Sequence, residues 1–337
     1  MFETKAFKDV MFNIYKSISG EKKYLEEHNV SLQGASQEEN LDSLMRRAKR
    51  TSFKLLVMGR FSSGKTSFIN VLLGEKLLAE DALPATALIT EIYYGKNKRV
   101  VMYPKKGKWK GGDEPFEIEP TLSEIKKYST IDNTASFNKK EANRVDSCFE
   151  KMVVYWPLEI LKEGVVIVDS PGTDDPYSND YIVEQYVPKA DAVIYCMNAM
   201  QTYTGVDRAT LGSINSIGFQ NPIILTTYFD IVSKDMTAQE RHDFVNICNH
   251  RYASHTREEF CHYINSKQGM EAKRGGSQSA LVESGYYELE KFLTKYLTEY
   301  KGREKASAAA AAVKSYNQGQ KKVVKSIIAN VDKPLEK

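Results

Sequence analysis

The stretch that decides the fold is residues 54–74, KLLVMGRFSSGKTSFINVLLG. It opens with a short apolar run that ends at Gly59, a pattern that favours a strand covered on both faces of a sheet. The next residues satisfy G-x-x-x-x-G-K-[ST], and an apolar helical pattern begins directly after them. A strand, this loop and a helix in succession are typical of a phosphate-binding loop. The segment therefore predicts a P-loop fold.

Each residue type in the loop has a task in phosphate binding. Glycines let backbone N–H groups curl around the β-phosphate, Lys65 reaches the β- and γ-phosphates, and the Thr66 hydroxyl coordinates Mg²⁺. The strand and helix on either side make the alternative, a glycine-rich turn without a ligand, rarer still. The predicted nucleotide contacts are Gly59, Arg60, Phe61, Ser62, Ser63, Gly64, Lys65, Thr66 and Ser67.

Short apolar runs alternate with helical patterns along much of the chain, which predicts an α/β fold with a mainly parallel sheet. Residues 94–156 fit less neatly and are interpreted as an insertion that contains a hairpin and a helix. Amphipathic helices are predicted within residues 1–50 and after residue 285. The predicted strands are residues 54–59, 100–103, 152–156, 164–170, 192–198 and 222–228, with a further strand in EIYYG, and the predicted central helices are residues 65–73, 180–187 and 207–217.

A second motif, DSPG at residues 169–172, stands at the end of the predicted strand VVIVDS. An aspartate at the end of a buried strand can bind Mg²⁺ through water, and a following glycine N–H can meet the γ-phosphate. The alternative is a turn in which Asp169 caps the next segment. Because a phosphate-binding loop lies upstream, we interpret Asp169 as a metal ligand and Gly172 as a nucleotide contact.

A third motif, TYFD at residues 227–230, follows the predicted strand PIILT. A motif that reads a nucleotide base at this position usually has the form [NT]-K-x-D, and here Tyr228 stands in place of its lysine. The carboxylate of Asp230 can accept hydrogen bonds from N1 and the exocyclic amine of guanine, which adenine cannot supply. Thr227 and Asp230 are therefore predicted to contact the base. The alternative is that Asp230 is the N-cap of the next helix.

The composition excludes several classes of protein. Lys and Arg number 47 and Asp and Glu 44, a net charge of +3 that provides no large basic field, so we predict no nucleic-acid partner. Four scattered cysteines in 337 residues form no disulfide framework, which favours a reducing, cytoplasmic setting. No apolar stretch approaches the roughly 20 residues of a spanning helix, so any membrane contact is expected to be peripheral.

Together these motifs resemble those of P-loop GTPases, and their spacing narrows the resemblance. Lys65 and Asp169 are 104 residues apart, far more than in compact Ras-like GTPases. Over about residues 50–300, the chain is similar to the dynamin superfamily, particularly to bacterial dynamin-like proteins related to mitofusins. The segments that carry the resemblance are GRFSSGKTSFINVLLG, LPATALITEIYYG, VVIVDSPGTDD, ADAVIYCMNAM, YINSKQGMEAK and ESGYYELEKFL.

The resemblance implies further site residues. Thr86 would complete the Mg²⁺ shell through its hydroxyl and orient the attacking water through its carbonyl, with Thr90 in reserve. The alternative is that both are β-branched residues at a strand start. Ser62 would help to hold a charge-compensating K⁺ or Na⁺. Because Thr173 stands where Ras-type GTPases carry glutamine, catalysis would rest on Ser62, Lys65 and Thr86. The base-contacting loop would be Asn265, Ser266 and Lys267.

The resemblance also implies an organisation and partners. Residues 1–50 and 296–337 would be neck helices around a GTPase domain at residues 51–295. The helical trunk and membrane-binding tip would follow beyond residue 337, so we expect a truncated form or a minimal member of the family. The implied partners are GTP and GDP, a second copy facing it across the nucleotides, a second dynamin-like protein, and a membrane contacted through the missing regions. The implied location is the cytoplasm, at the inner face of the cell membrane.

These expectations combine into one function. The chain is predicted to hydrolyse GTP to GDP and phosphate with Mg²⁺ and to couple this cycle to dimerisation and, in the full-length protein, to membrane remodelling. Two alternatives stay open. Tyr228 in the base-reading motif leaves room for an ATPase on the same scaffold. The other alternative is a nucleotide-gated scaffold, which would bind GTP, assemble through its helices and hardly hydrolyse the nucleotide.

Overall fold

The computed structural model describes residues 5–27, 52–80, 88–129, 148–170 and 186–299, together with single helical positions between 306 and 318. The strands in these ranges are β1 (Phe53–Gly59), β2 (Ile89–Tyr94), β3 (Arg99–Pro104), β4 (Phe116–Ile118), β5 (Phe149–Trp156), β6 (Val165–Asp169), β7 (Ala192–Asn198), β8 (Ile223–Thr227) and β9 (Cys261–Tyr263). The helices are α1 (Lys5–Glu27), α2 (Lys65–Leu73), α3 (Leu122–Ser129), α4 (Gly205–Ile217), α5 (Phe229–Ser233), α6 (Ala238–Tyr252), α7 (Ser266–Gly275), α8 (Gln278–Glu283) and α9 (Tyr286–Glu299).

The strands form one sheet in the order β4-β3-β5-β2-β6-β1-β7-β8-β9. Parallel pairing joins β6, β1, β7, β8 and β9 in turn, and also joins β2 to β5. Antiparallel pairing joins β2 to β6 and β3 to both β4 and β5. The predicted α/β class with a mainly parallel sheet is therefore confirmed.

Strand β1 is buried on both faces, as its continuous apolar run predicts. Leu55 and Val57 belong to the hydrophobic cluster on one side of the sheet, and Leu56 and Met58 to the cluster on the other. All four side chains are at most 1% exposed. The loop after Gly59 is thus held at the end of the most deeply buried part of the sheet.

The predicted insertion joins the main sheet. Strands β3 and β4 form the expected antiparallel hairpin, and β3 pairs with β5, which continues the sheet through β2. Helix α3 contributes Tyr128 to an aromatic cluster with Trp109, Phe116 and Phe149, whose ring centroids lie 5.0–6.2 Å apart. This cluster covers the hairpin and fixes it against the rest of the fold.

Some elements differ from the sequence prediction. Helix α1 continues through residues 21–27, a mainly polar stretch that shows no clear helical pattern of apolar residues, because a helix on the surface needs none there; Lys23 and Glu27 form an exposed ion pair of 3.5 Å. Strand β9 was not predicted. Its three residues form a strand because they pair with β8 at the sheet edge. The predicted second N-terminal helix lies outside the described residues. So does most of the predicted helix at 180–187, and Val187–Lys189 forms a 3₁₀ turn.

Candidate functional site

The predicted phosphate-binding loop lies at the carboxyl end of β1, between β6 and β7. Two of its glycines have no room for a side chain. At Gly59, with φ of +148°, a Cβ atom would lie 2.3 Å from the carbonyl oxygen of Cys196. At Gly64, with φ of +79°, a Cβ atom would lie 3.1 Å from the side chain of Thr227. The loop is therefore pressed against the ends of β7 and β8, which requires glycine at both positions.

Lys65 is the buried cation of the site. It is the first residue of α2 and is only 7% exposed. Its Nζ donates hydrogen bonds to the carbonyl oxygens of Gly59 at 2.8 Å and Arg60 at 2.7 Å. The ammonium group therefore lies inside the curl of the loop, where a bound phosphate would exchange for these carbonyl oxygens as its partner.

Two serines in the loop have contrasting environments. Ser62 is exposed and has φ of +54°, a left-handed conformation that is uncommon for a residue other than glycine. Ser63 is 2% exposed, and its Oγ atom has no hydrogen-bond partner within the described ranges. A buried hydroxyl of this kind and a backbone in a sparsely populated conformation both mark a functional loop.

Asp169 ends β6 and lies beside the start of α2. Its side chain lies near the Thr66 hydroxyl, with which it lines one cavity, and near the charge of Lys65. Burial raises the pKa of Asp169 to about 7, and Lys65 and Thr66 only partly offset this effect. The buried Oδ1 atom has no hydrogen-bond partner among the described residues. One buried carboxylate oxygen at this point is therefore open to a further partner.

The residues around Asp169 fit Mg²⁺. A cavity of about 20 Å³ is lined by Thr66, Thr90 and Asp169, among others, and this volume holds one water or ion. Carboxylate and hydroxyl oxygens are the donors that Mg²⁺ prefers. Thr90, the reserve residue, is 5% exposed and lines this cavity. Thr86 and Gly172 lie outside the described residues, so their roles stay predictions.

The base-reading motif follows β8, and its first residue is bonded to the phosphate-binding loop. The single hydroxyl proton of Thr227 is shared between the carbonyl oxygens of Ser63, 2.8 Å from Oγ1, and Met197, 3.1 Å from Oγ1. Asp230 lies in the first turn of α5, and the N-cap of that helix is Tyr228. The alternative in which Asp230 caps the helix is therefore wrong, and its half-buried carboxylate has no capping role.

The second predicted base loop lies beside this motif. Ile264 donates a backbone hydrogen bond to Thr226 at 2.9 Å, so residues 265–267 lie next to the turn after β8. The side chain of Asn265 caps α7 by accepting from the N–H of Gln268 at 3.0 Å, and Ser266 is hydrogen-bonded to Tyr286 at 2.8 Å. Lys267 is exposed. The segment therefore lies beside the turn after β8, and two of its side chains stabilise the fold; its contact with a base stays a prediction.

Sequence reasoning missed Asn70, which organises the segment leading to Thr86. It is fully buried, and its Oδ1 atom accepts from the N–H groups of Leu77 at 3.1 Å and Leu78 at 2.9 Å. Its Nδ2 atom donates at 2.9 Å both to the Leu78 carbonyl and to Glu80. The signal was present in the sequence as one amide in the otherwise apolar helix SFINVLLG, since a buried amide requires partners.

A larger cavity of about 320 Å³ lies on the β7 side of the loop. Its floor includes Asp207, which is 1% exposed and accepts hydrogen bonds from the hydroxyls of Tyr195 at 2.9 Å and Thr204 at 2.7 Å. The remaining walls come from the loop, from the end of β7 and from the turn after it: Arg60, Phe61, Ser62, Ser63, Cys196, Met197, Asn198, Met200 and Gln201. The loop therefore borders open space on the side away from Asp169.

Comparisons with known proteins agree with this architecture. Residues 55–215 match the family model described as the Dynamin family. A bacterial dynamin-like protein of Nostoc punctiforme is 34% identical over 160 residues, which is 47% of this chain and 22% of that protein. Dynamin-like protein 1 of Campylobacter jejuni is 29% identical over 232 residues, 61% of this chain and 32% of that protein. The chain thus spans less than a third of the first of these relatives and about a third of the second.

The fold is shared with a solved structure. An oligomerised bacterial dynamin pair, described as a mechanism for long-range sensing and tethering of membranes, superposes with a TM-score of 0.52 at 19% identity. The match covers 97% of this chain and 57% of that one. Within the described ranges of the present chain, no helix combines the length and the hydropathy needed to cross a bilayer.

Proposed function

We propose that this chain binds GTP and hydrolyses it to GDP and phosphate, since residues 55–215 match the Dynamin family model and its relatives include dynamin-like proteins. The observation that carries the proposal is the convergence of a buried lysine, a threonine hydroxyl and a buried carboxylate oxygen at the carboxyl ends of β1 and β6. Such a set is suited to the triphosphate and its counter-ion, since phosphoryl transfer depends mainly on positioning and on charge stabilisation.

We assign the following roles to the residues of the site. Lys65 would leave the carbonyl oxygens of Gly59 and Arg60 and bind the β- and γ-phosphates, while the loop N–H groups cradle the β-phosphate. Thr66 and Asp169 would hold Mg²⁺, which when bound offsets negative charge on the phosphate oxygens. Thr86 would orient the attacking water, and Ser62 would help to hold K⁺ or Na⁺.

Asp230 supports guanine as the base. An ionised carboxylate offers two acceptor oxygens, which match the two adjacent donors on the guanine edge and find no such pair on adenine. Asp230 has no capping role and is half-buried, so its oxygens are available to a base placed against the turn after β8. Thr227 would hold this turn against the phosphate-binding loop through the hydrogen bond from its hydroxyl to the Ser63 carbonyl.

Asp230→Asn is expected to weaken GTP binding by about 10- to 100-fold, because a hydrogen bond to a charged acceptor is lost. The same variant is expected to improve binding of xanthosine triphosphate, whose base carries an oxygen where guanine carries its amine. Titration calorimetry with each nucleotide measures both changes in affinity. Asp235→Asn, at an exposed position five residues further along, is the matched control and should leave both affinities unchanged. An unaltered preference in Asp230→Asn would mean that another residue reads the base.

We extend the proposal to self-association and to membranes. The chain would pair with a second copy or with a second dynamin-like protein across the nucleotide sites, and the full-length protein would act at the inner face of the cell membrane. Residues 1–50 and 296–337 would form a neck. In support, α1 exposes Phe12 and Tyr24, which are 62% and 59% accessible and would pack well against further helices. The solved bacterial dynamin pair is oligomerised and tethers membranes.

A further inference from the structure

We propose that Asn70 is a positioning residue for the Mg²⁺ site, because it holds in place the apolar wall of the cavity that Thr66 and Asp169 line. This inference rests on the proposed function. It deepens that function by naming a residue that acts on cation binding through the cavity wall rather than as a ligand.

The first observation is that every hydrogen-bonding position of the Asn70 side chain is used. An amide has two acceptor positions and two donor hydrogens. Its oxygen accepts from the N–H groups of Leu77 and Leu78, and its nitrogen donates to the Leu78 carbonyl oxygen and to the Glu80 carboxylate, all at 2.9–3.1 Å. Asn70 is 0% exposed, so bulk water does not compete for these positions. The amide therefore has one orientation.

The second observation is that the segment bonded to Asn70 has no regular structure of its own. Helix α2 ends at Leu73, and Gly74, with φ of +78°, caps it. Residues 75–80 then form neither helix nor strand. Leu77 and Leu78 are nonetheless 1% and 4% exposed, and buried backbone groups need partners. The Asn70 side chain supplies those partners and thereby fixes where the segment lies against α2.

The third observation places this segment at the proposed metal site. Leu78 and Ala79 line the cavity of about 20 Å³ together with Thr66 and Asp169. Thr66 and Asn70 are four residues apart in α2, so their side chains lie on the same face of the helix, one turn apart. One helix face therefore carries a predicted Mg²⁺ ligand and, one turn later, the residue that holds the cavity wall.

The wall affects cation binding through water and the local dielectric. Leu78 and Ala79 are apolar, and apolar side chains around a metal site limit the access of water and strengthen the attraction between a carboxylate and a cation. The carboxylate concerned is that of Asp169, whose buried Oδ1 atom has no partner among the described residues. By keeping the wall in place, Asn70 raises the affinity of this carboxylate for Mg²⁺.

The experiment measures how strongly Mg²⁺ favours nucleotide binding with and without the Asn70 amide. Titration calorimetry gives the affinity for the β,γ-imido analogue of GTP, which is not hydrolysed, in excess Mg²⁺ and in excess chelator. The ratio of the two affinities is the contribution of the cation. In Asn70→Ala, we expect this ratio to fall by about tenfold, the low end of what the loss of outer-shell support costs a metal site. The affinity in chelator should change less than about twofold, because the residues that meet the phosphates are not changed.

Asn215→Ala is the matched control for Asn70→Ala. Asn215 on α4 also holds the chain that follows its own helix, since its Nδ2 atom donates to the carbonyl oxygens of Phe219 at 2.7 Å and His255 at 3.0 Å. It is not among the residues that line the metal cavity. Both variants are expected to lower the thermal unfolding temperature, and only Asn70→Ala should lower the ratio.

Glu80→Ala keeps the inference testable if Asn70→Ala does not fold. Glu80 is exposed, and its removal takes away one of the four hydrogen bonds of Asn70. We expect the ratio to fall by about two- to fivefold, the effect of one hydrogen bond. Glu75→Ala, in the same segment, is the control, because Glu75 is bonded to Lys98 at 2.9 Å and not to Asn70. It should leave the ratio unchanged.

The outcomes separate this inference from the proposed function. If the unmodified chain does not bind the GTP analogue, the proposed function fails and the inference fails with it. If the chain binds the analogue but Mg²⁺ does not strengthen binding, or if the folded variants keep the ratio, the inference is overturned and GTP binding stands. Equal losses in Mg²⁺ and in chelator, or an equal fall of the ratio in Asn215→Ala, would show a purely structural role and also overturn it.

Discussion

Lys65→Ala is expected to reduce the affinity for GTP and GDP by at least about thirtyfold. The ammonium group of Lys65 lies within the curl of the loop, at 2.7–2.8 Å from two backbone carbonyl oxygens, where the phosphates would meet it. Removing one partner of a buried charge pair costs about 2–5 kcal/mol, which is 30-fold or more in affinity. Titration calorimetry with each nucleotide in the presence of Mg²⁺ measures the loss.

Two controls accompany Lys65→Ala. Lys76→Ala removes an exposed lysine just beyond α2 and should bind nucleotide as the unmodified chain does. Lys65→Met retains the length of the side chain without its charge, so it separates the loss of the cation from the loss of packing in a residue that is 7% exposed. Thermal unfolding checks that both Lys65 variants are folded. Retained affinity in a folded Lys65→Met protein would refute the assignment of the phosphate-binding loop.

Asp169→Asn is expected to slow GTP turnover by at least about a hundredfold, the usual effect of removing one electrostatic contact to a reacting group. The reason is that the carboxylate oxygen kept without a partner beside Thr66 is the proposed support for Mg²⁺. Phosphate release at increasing Mg²⁺ concentration measures the change, and the variant should require more Mg²⁺ for the same rate.

The same substitution is expected to leave the nucleotide-free protein at least as stable as before. Burial raises the pKa of Asp169 from its usual 3.8 to about 7, so stability falls as pH rises from about 3.8 to about 7, and the full cost of the buried charge remains above pH 7. Asparagine carries no charge, and the opposite signs of the two effects distinguish a functional carboxylate from a structural one. Asp235→Asn serves again as the exposed control. A marked loss of stability with unchanged turnover would contradict the assignment.

The parts of the fold that the sequence could predict are those with a local signal. The helix at Lys65–Leu73 and the strand that ends at Gly59 were predicted at or within one residue of their observed bounds, because a motif and a continuous apolar run mark them. Strand β9 carries no such signal, since its three residues are a strand only by pairing with β8. The end of α1 at Glu27 could not be placed from the sequence, because apolar periodicity does not extend into the polar surface stretch at residues 21–27.

The candidate site also contains residues that the sequence could place and residues that it could not. Lys65, Thr66 and Asp169 could be placed together from the sequence, because the carboxyl ends of neighbouring parallel strands meet at one edge of a sheet. The left-handed backbone of Tyr228 and the capping role of Asn265 could not, since both depend on what the rest of the fold presses against them. Thr86 and Gly172 stay predictions.

The most direct test of the account is phosphate release from GTP and from ATP, measured in parallel with Mg²⁺ and K⁺ present. Protein concentration is varied over about a hundredfold range, and the Lys65→Ala variant serves as the baseline. We predict turnover of GTP well above that of ATP, with a specific activity that rises with protein concentration as copies pair across their nucleotides. Release from GTP no faster than that of Lys65→Ala, or no faster than release from ATP, would contradict the account.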